Sequence, residues 1–254
     1  MREFGTPERV YAVVRFLNGK SYDAETLKEK LGMEGVFGKI NQDAFSYATR
    51  VAEELDFIYI KDGRYSSNMD VELIDSWSKF RAHTAKIAFS RDSSIFYKTT
   101  EAYLALNDKV LSAHTWAELR QMINESGMDL SDRNIIGWRF WASFLGIGYI
   151  HGTQLIPNLF VRFSDVLKAQ TQFEFGEIVD VETFFAWLER ECPEIINSRS
   201  DQKLGLAVSN GLRILRDQGI IEIINQPDAV KWQMYSFLSE GIGEFSHIKV
   251  KEGS

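Results

Sequence analysis

Apolar residues recur at helical spacing three times within the first 55 positions. Val10, Val13, Val14 and Leu17 form one stripe, and Leu27 and Leu31 stand one turn apart in a second. Ala44, Ala48, Val51, Ala52 and Leu55 line a third. Thr6, as a capping residue before Pro7 and Glu8, opens the first helix, and Asn18-Gly19 ends it. The second helix is expected from about Asp23 to Leu31, and the third from Asn41 or Gln42 to about Leu55. Phe57-Ile58-Tyr59-Ile60 then reads as a strand, Lys61-Asp62-Gly63-Arg64 as a tight turn and Tyr65 as the return.

The last third of the chain repeats this order. Val181 to Glu191 predicts a helix with Phe184, Phe185, Trp187 and Leu188 on its apolar side, ended by Pro193. After a short turn at Ile195-Ile196, Ser200 is expected to cap a long helix over 201–217, lined by Leu204, Val208, Gly211, Leu212 and Leu215. Ile220 to Ile224 predicts a strand, Asn225-Gln226-Pro227-Asp228 a turn, and Val230 to Phe237 the return. In the middle, Ser94 opens a helix to about Leu111, with further helices over 116–123 and 132–145. Gly148-Tyr149-Ile150 and Leu159-Phe160-Val161 read there as two sides of a longer hairpin. The expectation is a mostly α chain with small β-hairpin wings, of the α+β class, in three parts: 1–67, 68–168 and 169–254.

Three helices closed by a two-stranded wing resemble the winged-helix superfamily, in two regular tandem copies and a less regular middle one. The resemblance is carried by Leu212-Arg213-Ile214-Leu215-Arg216-Asp217-Gln218-Gly219-Ile220-Ile221, where a third helix runs into its wing. Arg50-Val51-Ala52-Glu53-Glu54-Leu55-Asp56-Phe57-Ile58 is similar. It implies a helix-turn-helix type of DNA binding to a duplex, with the third helix in the major groove and the wing against the backbone. Other winged helices are protein–protein interaction modules, and the fold alone does not choose between the two.

A helix that reads DNA needs outward donors for phosphates and base edges. The face opposite Ala44 and Ala48 offers Gln42, Ser46, Thr49, Arg50 and Glu53, and its wing adds Lys61 and Arg64. The later helix offers Gln202, Ser209, Asn210 and Arg213, with Lys203 at its edge and Lys231 on the wing. The middle helix differs. Ile135, Ile136, Trp138, Phe140, Trp141, Phe144 and Leu145 cover nearly its whole circumference, so it belongs in a core or between subunits. A protein partner or self-association is therefore expected through this aromatic-rich middle.

Composition narrows the function classes. The chain of 254 residues is 44% hydrophobic, 26% charged and 13% aromatic, enough to bury a core. The net charge is −7, with the last part, 169–254, holding 8 basic and 14 acidic residues. That net charge does not favour nonspecific nucleic-acid binding. The lone Cys192 excludes an intrachain disulfide. The N-terminus has no apolar leader run, and the longest apolar stretch, 134–150, is broken by Arg139 and three glycines and too short for a membrane span. A cytoplasmic protein is expected, with no membrane partner.

His83, His114, His151 and His247 show no metal-ligand spacing with one another or with Cys192. Gly146-Ile147-Gly148 reads as a turn, and Glu53-Glu54 as a solvated helix face. Pro227-Asp228 with Lys231 lacks a second well-placed acid for a nuclease site. No cofactor, metal or catalytic centre is expected. The first reading is a DNA-interacting regulator or accessory subunit of a DNA-processing complex. The alternative is a protein-protein interaction scaffold without DNA contact.

Overall fold

The structure of the chain, a computed structural model, describes residues 5–33, 42–236 and 243–252. Helix α1 (Pro7–Phe16) buries Val10, Val13 and Val14. Thr6 sits at its N-cap without a side-chain hydrogen bond. Pro7, with a preset φ and no N–H to satisfy, starts the helix unaided. A strand absent from the expectation, β1 (Ser21–Asp23), leads into α2 (Ala24–Lys30). Asp23 caps α2 by accepting from the Thr26 N–H at 2.9 Å.

Residues 34–41, including the alternative helix start at Asn41, lie outside the described residues, and α3 (Gln42–Glu54) follows them. Along α3, Ala44, Phe45, Ala48, Val51 and Ala52 are buried, and the helix packs on α1. Strands β2 (Ile58–Lys61) and β3 (Arg64–Ser67) form a hairpin whose turn residues, Asp62 and Gly63, have φ of 52° and 74°. Both positive values match the strand twist of a tight two-residue turn. β1 pairs with the far side of β3, so the sheet order is β1-β3-β2.

Helices α4 (Val71–Ile74) and α5 (Trp77–Phe89) follow, where the sequence pattern gave no element. Ser94 caps α6 (Ile95–Ala105), accepting from the Tyr97 N–H at 3.1 Å. The helix expected to reach Leu111 stops early because Asn107 takes a φ of 51°, and 107–112 winds as a 3₁₀ turn. Next come α7 (Trp116–Asn124) and α8 (Asp132–Phe144), then a hairpin of β4 (Gly148–His151) and β5 (Gln154–Pro157). The strand expected at Leu159-Phe160-Val161 is instead the start of α9 (Phe160–Ala169). Asn158 Oδ1 accepts from the Phe160 N–H at 2.9 Å there, and Phe163, Val166 and Leu167 are buried at helical spacing.

Strand β6 (Ile178–Asp180) runs into α10 (Val181–Glu191), capped by Asp180, and then a 3₁₀ turn at Pro193–Ile195. Two expectations fail after this. Residues 199–204 form a hairpin of β7 (Arg199–Ser200) and β8 (Lys203–Leu204), turning through Asp201 and Gln202 at φ 49° and 60°. Helix α11 (Leu206–Asp217) therefore begins five residues later than expected, with Gly205, not Ser200, at its N-cap. β9 (Ile221–Ile224) follows, and its partner is not the 230–237 stretch. Within that stretch β10 (Trp232–Gln233) pairs in parallel with β8 and antiparallel with β11 (Glu244–Phe245). The return strand is β12 (His247–Val250), which lies between β6 and β9. Phe237 itself lies outside the described residues.

Apart from the short strands β7, β8, β10 and β11 and a 3₁₀ turn inserted in the later one, both ends of the chain share the order helix, strand, helix, helix, strand, strand, with the last strand central in its three-stranded sheet. About 52% of the described residues are helical and the sheets are small, an α+β architecture. Among the described residues, no helix is long and apolar enough to cross a membrane.

Two compact units divide the chain: Met1–Ala88 with Leu130–Phe144, and Phe89–Asp129 with Leu145–Ser254. In the first, the Trp141 indole N–H donates to the Gly5 carbonyl at 2.8 Å, and the Phe144 ring packs on Trp77 and Phe80. Along α8 no residue from Asn134 to Phe144 is exposed, as a helix apolar on all sides requires. In the second, α11 crosses α9 at Gly211, where a β-carbon would lie 3.0 Å from the Leu159 backbone. Only glycine permits that approach.

Candidate nucleic-acid interface

In the first unit an open groove of about 480 Å³ runs between α3, the start of α2 and the β2–β3 wing. Its apolar and aromatic lining is Ala24, Phe45, Ile60 and Tyr65, and its polar lining is Lys28, Ser46, Thr49, Arg50 and Glu53. Phe45 and Tyr65 meet edge to face, with ring centroids 5.7 Å apart. Burial and the Glu53 carboxylate push the Tyr65 phenol above its ordinary range, so it stays a neutral donor at physiological pH.

Of the residues expected to meet DNA here, Ser46 and Arg50 are exposed on the groove, and Lys61 and Arg64 are exposed beside the wing turn. Arg50 pairs with Glu54 at 3.2 Å, but both side chains are more than half exposed. A surface pair of this kind yields readily to a phosphate. Arg64 is more constrained, its guanidinium donating to the Ser21 carbonyl at 2.5 Å and to the Ser21 hydroxyl at 3.3 Å. The Thr49 hydroxyl turns back into the helix, donating to the Phe45 carbonyl at 2.9 Å, and is no reader. The Gln42 side chain lies outside the described residues. Lys28 was not legible as part of this face. It comes from α2, with its ammonium 5.1 Å from the Phe45 ring centroid, and no periodicity within α3 points to it.

The corresponding face of α11 is closed. Ser209 is fully buried, and its hydroxyl accepts from the Tyr235 N–H at 2.8 Å. Asn210 donates to the Pro157 carbonyl at 3.0 Å, and Arg213 donates to the Tyr235 carbonyl. Burial lowers the Arg213 pKa, but the group stays charged throughout the physiological range. Ser209 and Arg213 hold the segment before residue 237 against the helix, while Asn210 is engaged by the Pro157 carbonyl. Gln202 and Lys203 are exposed, yet they sit on the β7–β8 hairpin, not on the helix. Lys231 is half-buried just before β10. The six residues do not form one surface on α11.

Charge separates the units in the same sense. Residues 1–88 and 130–144 hold 15 basic and 15 acidic side chains, whereas the remaining residues hold 14 and 21, the entire net −7. Among the described residues, no three His, Cys, Asp or Glu side chains gather to hold a metal. The His247 Nδ1 lies 2.9 Å from the Ser246 hydroxyl, but Ser246 is buried and its oxygen also accepts from the Gln226 N–H. That contact fastens the start of β12.

No protein-family model, curated protein or solved structure matches the chain.

Proposed function

We propose that the chain is a DNA-interacting protein built from tandem winged-helix units, in which α3 and the β2–β3 wing carry the duplex-binding face. In this reading α3 enters the major groove, Ser46 and Arg50 approach base edges, and Lys28, Lys61 and Arg64 meet phosphates. The observation that carries it is the open α3 groove, with Arg50 exposed on it, in contrast to the α11 face sealed by its own chain. The neutral balance of the first unit supports the same division, because the polyanion is not repelled there. The molecule acts by binding, as a cytoplasmic regulator or accessory subunit, and the closed, acidic second unit serves as its protein-contacting part.

Anisotropy of a labelled duplex titrated with the whole chain at several salt concentrations tests this reading. Binding that weakens log-linearly with salt supports it. Absence of binding at low salt removes it and leaves the protein scaffold without DNA contact, which the acid excess of the second unit favours.

A further inference from the structure

The α3 groove uses one side of the β1-β3-β2 sheet only. Side chains alternate between faces along a strand, and directly opposed partners share a face. Ile60, Tyr65 and Tyr22 are in register, and Ile60 and Tyr65 line the groove. Tyr59, Ser66 and Ser21 make a row on the opposite side, and Lys61, Arg64 and Asp23 make the next row. Tyr59 is 44% exposed, and Lys61 and Arg64 are exposed beside it. Arg64 is held across β1 by its two hydrogen bonds to Ser21. Asp23, the acid of that row, is engaged by the Thr26 N–H and hydroxyl as the cap of α2.

A large exposed ring on a small sheet, with two exposed cations in the next row, matches single-stranded nucleic acid in chemistry. The ring offers a π-face to an unpaired base, and the cations meet the flanking phosphates. A duplex on α3 that meets Lys61 and Arg64 at the wing turn leaves the Tyr59 ring with nothing to bind. We infer that the outer face of the sheet binds single-stranded DNA, with Tyr59 stacking on an unpaired base and Lys61 and Arg64 on its backbone. The protein then holds duplex best where one strand ends or opens. This inference rests on the duplex reading of α3 and adds a second ligand face to it.

The middle hairpin supplies an internal contrast. Tyr149 stands five residues past the end of α8, as Tyr59 does past the end of α3, and is 52% exposed. Its hairpin carries His151 and Gln154 where the first carries Lys61 and Arg64, and the Gln154 amide is committed to the Leu111 and Ala113 carbonyls. The ring is repeated there without the cations.

The test uses the whole chain and three labelled probes: a blunt duplex, the same duplex with a single-stranded tail, and the single strand alone. The tailed duplex is expected to bind on the order of tenfold tighter than the blunt one. Tyr59→Ala should abolish that advantage and leave blunt-duplex affinity in place, while Tyr59→Phe and Tyr149→Ala keep it. Circular dichroism verifies that each variant is folded. Equal affinity for tailed and blunt duplex, an advantage that survives Tyr59→Ala, or an equal loss from Tyr149→Ala overturns the inference while the α3 reading stands. Binding of the single strand through Tyr59 without any duplex binding upholds this face and removes the α3 reading. No binding of any probe removes both.

Discussion

The buried Ser209 hydroxyl accepts a hydrogen bond from the Tyr235 backbone N–H at 2.8 Å, across 26 residues. Arg213, one helical turn further along α11, donates to the carbonyl of the same residue. One peptide segment thus has its donor and its acceptor satisfied by two side chains that face outward on a typical solvated helix. Ser209→Ala leaves the Tyr235 N–H without that acceptor and is expected to cost about 1–2 kcal/mol of stability. Urea denaturation followed by tryptophan fluorescence measures this. An unchanged midpoint would mean that the segment is not held by this contact.

Trp138 lies in the middle of α8 and is fully buried, the largest such side chain among the described residues. Trp138→Ala removes its contacts and leaves a cavity, with an expected loss of about 3–5 kcal/mol. Denaturant titration of the variant should show a lower midpoint at similar slope. A folded variant of equal stability would show that the ring is not enclosed.

Cys192 is buried between α10 and the following 3₁₀ turn, and burial pushes its thiol well above the ordinary range. The native thiol keeps its proton where the unfolded one loses it, near pH 8.5. Its contribution to stability is therefore complete below that range and declines as pH rises through it. Native protein should react slowly with iodoacetamide at pH 8, and the rate should climb with denaturant in step with unfolding. Rapid labelling of native protein at the rate of a free thiol would contradict this burial.

Helix α3 and its wing were legible because their signals are local. The stripe from Ala44 to Leu55, the Asp62-Gly63 turn and the strand around Ile58 each follow from neighbours in sequence, so α3 and its wing lie where the pattern placed them. The failures sit where a distant partner decides. The start of α11 differs from the expectation because Leu204, which lies in β8 after the Asp201-Gln202 turn, keeps helical spacing with Val208 of α11. Its first N–H is held by Asn107 Oδ1 at 2.8 Å, 99 residues earlier, which no local pattern carries. Val230 to Phe237 follows a turn and looks like a return strand, but β9 pairs with β12 instead. That single displacement brings Tyr235 onto α11. Ser209, Asn210 and Arg213, polar enough for a DNA face, thereby become internal hydrogen-bonding groups.

The central claim is that the α3 face binds duplex DNA and the α11 face does not. The most direct measurement is duplex affinity against salt concentration for the wild type and two double variants, Arg50→Ala with Lys61→Ala and Lys203→Ala with Arg213→Ala. The first pair should weaken binding and lower the salt slope by about one unit per lost phosphate contact. The second should lose some stability while keeping affinity and slope, because Arg213 serves the Tyr235 carbonyl. Unchanged binding in the first pair, or loss confined to the second, would contradict the account.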